Sequence, residues 1–174
     1  MDSRYCFSHT RAAQDLHKAR LLVGKRLNAL MHDQYYFNGE MSLGDVGSIE
    51  WHFGEQEVIS MYLLSDGESV GADMYPINTP VSFEIEPGVT CAWKRENLLA
   101  ALSASHLEGE KVLEVKGILD ALNGQVSRLV GFRIEFGSGD FLVFLNQGDD
   151  AAMLVNTLPP ACVEIETSFV TFIQ

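Results

Sequence analysis

The chain has 174 residues, 47% hydrophobic and 21% charged, with 12 basic and 24 acidic residues giving a formal net charge of −12. That composition excludes a disordered chain, and the length predicts one domain over residues 1–174 around a single core. The negative balance argues against nucleic acid as a partner, because the molecule as a whole repels phosphate.

The opening residues Met1 to Cys6, and the polar residues that follow through Asp15, lack the apolar stretch of a secretory signal, which predicts a cytoplasmic protein. Residues 11–31 read as a long helix: Leu16, Ala19, Val23, Leu27 and Leu30 recur at helical spacing, and Ser8 or Thr10 would cap it. Residues 33–45 read as a loop with the aromatic anchor Tyr35-Tyr36-Phe37. Ser48 to Phe53 alternates apolar and polar residues, Gly54-Glu55-Gln56 turns, and Val58 to Leu64 returns, which together read as a β-hairpin. Val81 to Ile85 is a further strand, and Glu96 to Ser105 reads as a short helix. Val112 to Ile118 favours a strand, Asn123-Gly124 a turn, and Val130 to Phe136 with Phe141 to Leu145 a second hairpin across Gly137-Ser138-Gly139-Asp140. Met153 to Val155 and Val163 to Ile165 are short strands, and Phe169 to Ile173 would pair with a sheet edge or cover one. Strands and helices do not alternate. The expected class is therefore α+β: a large, mostly antiparallel sheet of hairpins, with one long N-terminal helix and one short helix on one face.

The two hairpins resemble each other. Phe53-Gly54 superimposes on Phe136-Gly137, with Glu57 and Asp140 each four residues past the Phe. An apolar strand and an acidic glycine turn follow in both, Asp66-Gly67-Glu68 and Gly148-Asp149-Asp150. Common origin as an internal repeat and convergent hairpin chemistry both account for this.

Catalytic motifs are missing. No glycine-rich turn leads into a helix that offers its N-terminus to phosphate, and no nucleophile elbow or paired-histidine zinc motif is present. Glu50 and His52 share a strand face, but two ligands do not make a metal site, so neither metal nor cofactor is expected. The Gly148-Asp149-Asp150 turn suits an Asp accepting backbone N–H groups beside a positive-φ glycine. The cysteines Cys6, Cys91 and Cys162 are widely spaced and read as free thiols, with Cys91 and Cys162 buried. No apolar run approaches the ~20 residues that span a bilayer, so no membrane partner is expected.

The charge layout is the main functional signal. Residues 1–26 carry six basic and two acidic groups, and residues 27–93 carry eleven acidic groups and no Lys or Arg. Residues 94–174 carry six basic and eleven acidic groups. The carboxylates of the middle stretch must be solvated, act as caps, pair with the basic N-terminal segment, or face a basic partner. Plain solubility is served by the same surface. A partner reading makes Glu50, Glu55, Glu57, Asp66, Glu68, Asp73, Glu84 and Glu86 the contact residues, with Trp51 or Tyr62 as an aromatic anchor if exposed. The alternatives are a small-molecule-binding domain and a structural subunit that hides an apolar patch. The stretch from Gly131 to Asp150, Gly131-Phe132-Arg133-Ile134-Glu135-Phe136-Gly137-Ser138-Gly139-Asp140 and on to Gly148-Asp149-Asp150, resembles the terminal hairpins of small bacterial immunity proteins of polymorphic and contact-dependent growth-inhibition toxin systems. That resemblance implies a cytosolic protein that blocks one cognate basic toxin domain, such as a nuclease.

Overall fold

The computed structural model describes the backbone of residues 3–174 and the side chains from His9 onward. Cys6 as a free thiol and Ser8 as a helix cap lie outside the described side chains. Helix α1 covers Ser3–Ala19, and a single 3-10 turn follows at Arg20–Leu22. The helix expected over 11–31 therefore ends twelve residues early, and Thr10 lies inside it instead of capping it. Gly24 at φ +86° turns the chain, and the apolar residues beyond it serve a strand. Leu27 and Leu30 are buried as their periodicity requires, but from extended backbone, where sheet pairing overrides helical spacing.

Two antiparallel sheets and few helices make up the molecule, an α+β architecture. The first sheet is built from β1 (Ala29–Phe37), β2 (Glu40–Met41), β3 (Ile49–Phe53), β4 (Glu57–Leu63), β5 (Val70–Asp73), β6 (Phe83–Glu86) and β7 (Val89–Asn97). After helix α2 (Leu98–Ala101) and a 3-10 turn at Ser105–Leu107, the second sheet takes β8 (Val112–Leu122), β9 (Arg128–Phe136), β10 (Phe141–Asn146), β11 (Ala151–Val155) and β12 (Ile165–Val170). The single large sheet is thus two sheets, and α1 contacts strands of both. Residues 33–37, expected in a loop, belong to β1. Strands β5 and most of β7 are additions to the sequence reading, and only Ile165 of the expected 163–165 strand is in β12. Cys91 is buried as expected, whereas Cys162, expected to be buried as well, is exposed.

The strand orders are β5-β4-β3-β1-β7-β6 and β11-β10-β9-β8-β12. Each sheet contains the same five-strand path: four strands side by side, then a fifth that returns to pair with the first. The hairpin registers also coincide. Trp51 faces Ile59 and Ile49 faces Met61 in one; Ile134 faces Leu142 and Phe132 faces Phe144 in the other. Phe53 opposes Glu57, and the Phe136 N–H donates to the Asp140 carbonyl over 2.9 Å. The inward residues of both sheets, together with Leu16, Ala19 and Leu22, form one core. Burial of the Leu, Ile, Val, Phe and Met side chains among them stabilises the fold by about 1.5–3 kcal/mol each.

The link from β5 to β6, residues 74–82, runs from one edge of the first sheet to the other. It crosses the face away from the core, and this strap decides what that face can do.

Candidate interaction surface

Strands β3, β1 and β7 bring Glu50, Asp33 and Arg95 together beneath the strap. Glu50 is only 2% exposed. It accepts hydrogen bonds from the backbone N–H of Ile77 and from His52 Nε2 at 2.8 Å, and it pairs with Arg95 Nη1 at 2.7 Å. Arg95 also reaches Asp33 at 2.9 Å and donates to the Ile77 carbonyl at 2.8 Å. Thr79 donates to Asp33 at 2.8 Å. Burial pushes the Glu50 carboxyl up, but the bonds from Arg95, Ile77 and His52 outweigh it and hold the group below the usual carboxylate range. Burial likewise works against the Arg95 charge, and Glu50 and Asp33 more than restore it. Glu50 is therefore the strap's internal anchor and no partner contact, because Arg95, distant in sequence, supplies the cation that its own segment lacks. Among the described residues no group of three or more His, Cys, Asp or Glu side chains is arranged to hold a metal ion.

The other sequence candidates divide by their neighbours. Glu57 meets Lys25 at 3.5 Å, Asp73 meets Lys18 at 3.4 Å, and Glu68 pairs with Arg128. Asp66 accepts the backbone N–H groups of Glu68 and Ser69 at 2.9 and 2.8 Å, as a turn-closing Asp does. Glu55, Glu84 and Glu86 are exposed and have no ion pair among the described residues. Trp51 is fully buried and donates its indole N–H to Met61 Sδ, so it is not an anchor, and Tyr62 is half-buried beside Arg11. In the Gly148-Asp149-Asp150 turn, Gly148 takes φ +76° as expected, but the side chain that accepts its N–H is Asn146, at 2.8 Å.

Beyond the strap, the outer face of the first sheet is aromatic. Register places Tyr35 opposite Trp93, and Phe37 and Phe83 on either side of Cys91. The Tyr35 and Trp93 rings lie 5.1 Å apart and Phe83 is 6.0 Å from Trp93, with the Tyr35 hydroxyl donating to Cys91 Sγ at 3.1 Å. Cys91 is buried under this ring cluster, while Phe37 and Phe83 are 45% and 52% exposed. By register Glu40, opposite Phe37, and Glu86, opposite Val89, lie on the same face, whereas Glu84, opposite Thr90, points to the other side of β6; all three are exposed. An aromatic centre with an acidic border is the composition of a protein-binding patch. Tyr35, Phe37 and Trp93 escaped the sequence reading as a surface because β1 and β7 were not recognised as neighbours. The only signal for it was the aromatic run Tyr35-Tyr36-Phe37.

A cleft of about 620 Å³ lies elsewhere, between α1 and both sheets. Its charges are matched internally: Arg11 with the buried Asp15 at 3.1 Å, and Arg128 with Glu68. No described helix is long and apolar enough to cross a membrane. Comparison with known proteins finds no matching family model, no matching curated protein and no matching solved structure.

Proposed function

We propose that this protein is an acidic inhibitor of the immunity type, acting in the cytosol by binding and neutralising a basic toxin domain. The observation that carries the reading is the exposed aromatic patch with Glu40 and Glu86 on its face and Glu84 on the same edge strand, carboxylates that no cation among the described residues neutralises. A basic enzyme with a phosphate-binding cleft offers the complementary field, which speeds encounter and rejects wrong partners. The protein itself need supply no chemistry, only occlusion. The test is affinity capture from the native source with the full chain as bait, at low salt and then at about 0.3 M salt. A basic toxin domain, retained at low salt by the wild type and lost by the Glu40→Lys/Glu84→Lys/Glu86→Lys variant, supports the reading. Equal retention by both proteins overturns it.

A second reading rests on the 620 Å³ cleft, which falls in the size range of small-molecule sites. It predicts a metabolite that raises the melting temperature and whose effect is abolished by Ser127→Trp, a substitution in the cleft wall.

A further inference from the structure

Along their main paths the two sheets end in four edge strands, and the backbones of two of them are capped from within the chain. At β5, α1 packs alongside and the Ala72 N–H donates to Asp15 Oδ1 at 3.2 Å. At β11, the Ala151 N–H donates to Asp45 Oδ1 and its carbonyl accepts from the Val46 N–H, both at 2.9 Å. The middle of β12 exposes only polar side chains, Glu166, Thr167 and Ser168, and the Thr167–Asp120 bond at 2.6 Å ties it to its neighbour β8. These are the devices that keep sheet edges from recruiting other chains.

Strand β6 has no such backbone cap: it carries two carboxylates and a register shift between Glu84 and Glu86, but also exposed apolar side chains. All four of its residues are exposed, Ile85 by 62% and Phe83 by 52%, and it borders the aromatic patch. The direction of its backbone follows from its neighbour. Thr90 in β7 points its N–H and carbonyl at Asn38, towards β1, with distances of 2.8 and 2.9 Å. Backbone direction alternates along a strand, so Cys91 faces β6 and forms the hydrogen-bonded pair with Phe83. Glu84 comes next, and its N–H and carbonyl therefore point to the open side. No described backbone group meets them there.

The charges select the occupant. Pairing β6 with a second copy of itself would bring Glu84 and Glu86 of both copies together, on two molecules that each carry −12. Like charges across a strand pair are destabilising. We infer that β6 receives an added strand from a basic partner protein: an extended segment alternating Lys or Arg with apolar residues. That segment bonds to the Glu84 backbone, sets its cations on the Glu84 face, and lays its apolar side chains on the other face beside Phe83. The inference rests on the proposed function for the partner's basic character and adds the manner of docking.

The probes are a capped peptide of about eight residues alternating Lys and Val, the same peptide N-methylated at alternate residues, and a Glu–Val counterpart. Each is titrated into the full chain by calorimetry, with amide exchange read at Glu84. The expected result is binding by the Lys–Val peptide alone, with slowed exchange at Glu84. N-methylation or Glu84→Pro should each weaken binding about tenfold beyond the effect of Glu84→Ala, the loss equivalent to one hydrogen bond. Glu84→Pro leaves the Phe83–Cys91 pair intact, and the N-methylated peptide gives the same answer without altering the protein. If Glu84→Pro and N-methylation cost no more than Glu84→Ala, strand addition is overturned and the charge-based reading stands. If no peptide binds, the inference falls, while the capture experiment decides the basic-partner reading separately. A dimer in sedimentation that Glu84→Pro dissolves makes a second copy the occupant and also overturns it.

Discussion

Arg95 holds two carboxylates and a backbone carbonyl at once, and its removal leaves the buried Glu50 with only the Ile77 N–H and the His52 ring as partners. Breaking a buried pair from one side costs about 3–5 kcal/mol. With Arg95 29% exposed, Arg95→Met should fall near the low end of that range at neutral pH. The deficit should shrink on acidification. In the wild type the Glu50 pKa is lowered by folding, so its contribution is full above the ordinary glutamate value of about 4.3 and is lost as pH falls through the lower folded value. In the variant only the bonds from Ile77 and His52 oppose burial, so the folded Glu50 pKa lies above the wild-type one and less stability is lost as pH falls. Chemical denaturation of both proteins between pH 7 and about pH 3 checks this, and a gap that stays constant with pH would refute it. Glu50 also shows where sequence reasoning stopped. Its alternation with Ile49 and Trp51 correctly placed it on the face away from the core. That face is normally wet, and only the strap, folding back from Ile77, makes it dry.

At the scale of elements, two carboxylates close two sheet edges in corresponding places, Asp15 at β5 and Asp45 at β11. Their settings differ, and so should their energetics. Ala72 is buried, and Asp15→Ala should cost about 2 kcal/mol for an amide left unsatisfied. Asp45 is exposed, water can replace it, and Asp45→Ala should cost less than about 1 kcal/mol. Burial raises the Asp15 pKa against the opposing bonds from Ala72 and Arg11, so Asp15→Asn, which retains an acceptor without the charge, should be milder than Asp15→Ala. Urea midpoints for the three variants decide these points. The hairpins were legible because alternation and glycine turns are local signals: β3, β4, β9 and β10 lie within a residue or two of their expected ranges. Strand β1 was not, because the residues it buries at alternate positions, Leu30, His32 and Gln34, are mostly polar. Gln34 is satisfied by the Ser42 carbonyl at 2.7 Å and His32 lies 3.1 Å from the Val46 carbonyl, partners that exist only once the chain has folded back.

The whole molecule is a duplicated path around a shared core, and its charge acts on that whole. A net charge of −12 repels itself, so raising salt from about 0.02 to about 0.3 M should raise the melting temperature as the Debye length falls from about 20 to about 6 Å. A fall instead would mean that internal pairs such as Lys18–Asp73 and Lys25–Glu57 outweigh the repulsion. The doubling was partly visible in the sequence, since both hairpins share the Phe-Gly step and the acidic residue four positions later. Of the returning fifth strands, the pairing of Phe169 and Val170 at a sheet edge was expected, but nothing local in 89–97 or 165–170 marks which strand far back in the chain is the partner. Those returns set the tempo of folding. Met31 waits for Asn97 and Gly117 for Val170, so in each half the first strand stays open on one side until the last arrives. Closing such long loops is slow. A chain emerging during synthesis therefore passes through a period in which β1, and later β8, lacks its final neighbour, and this is when the protein is most prone to aggregate.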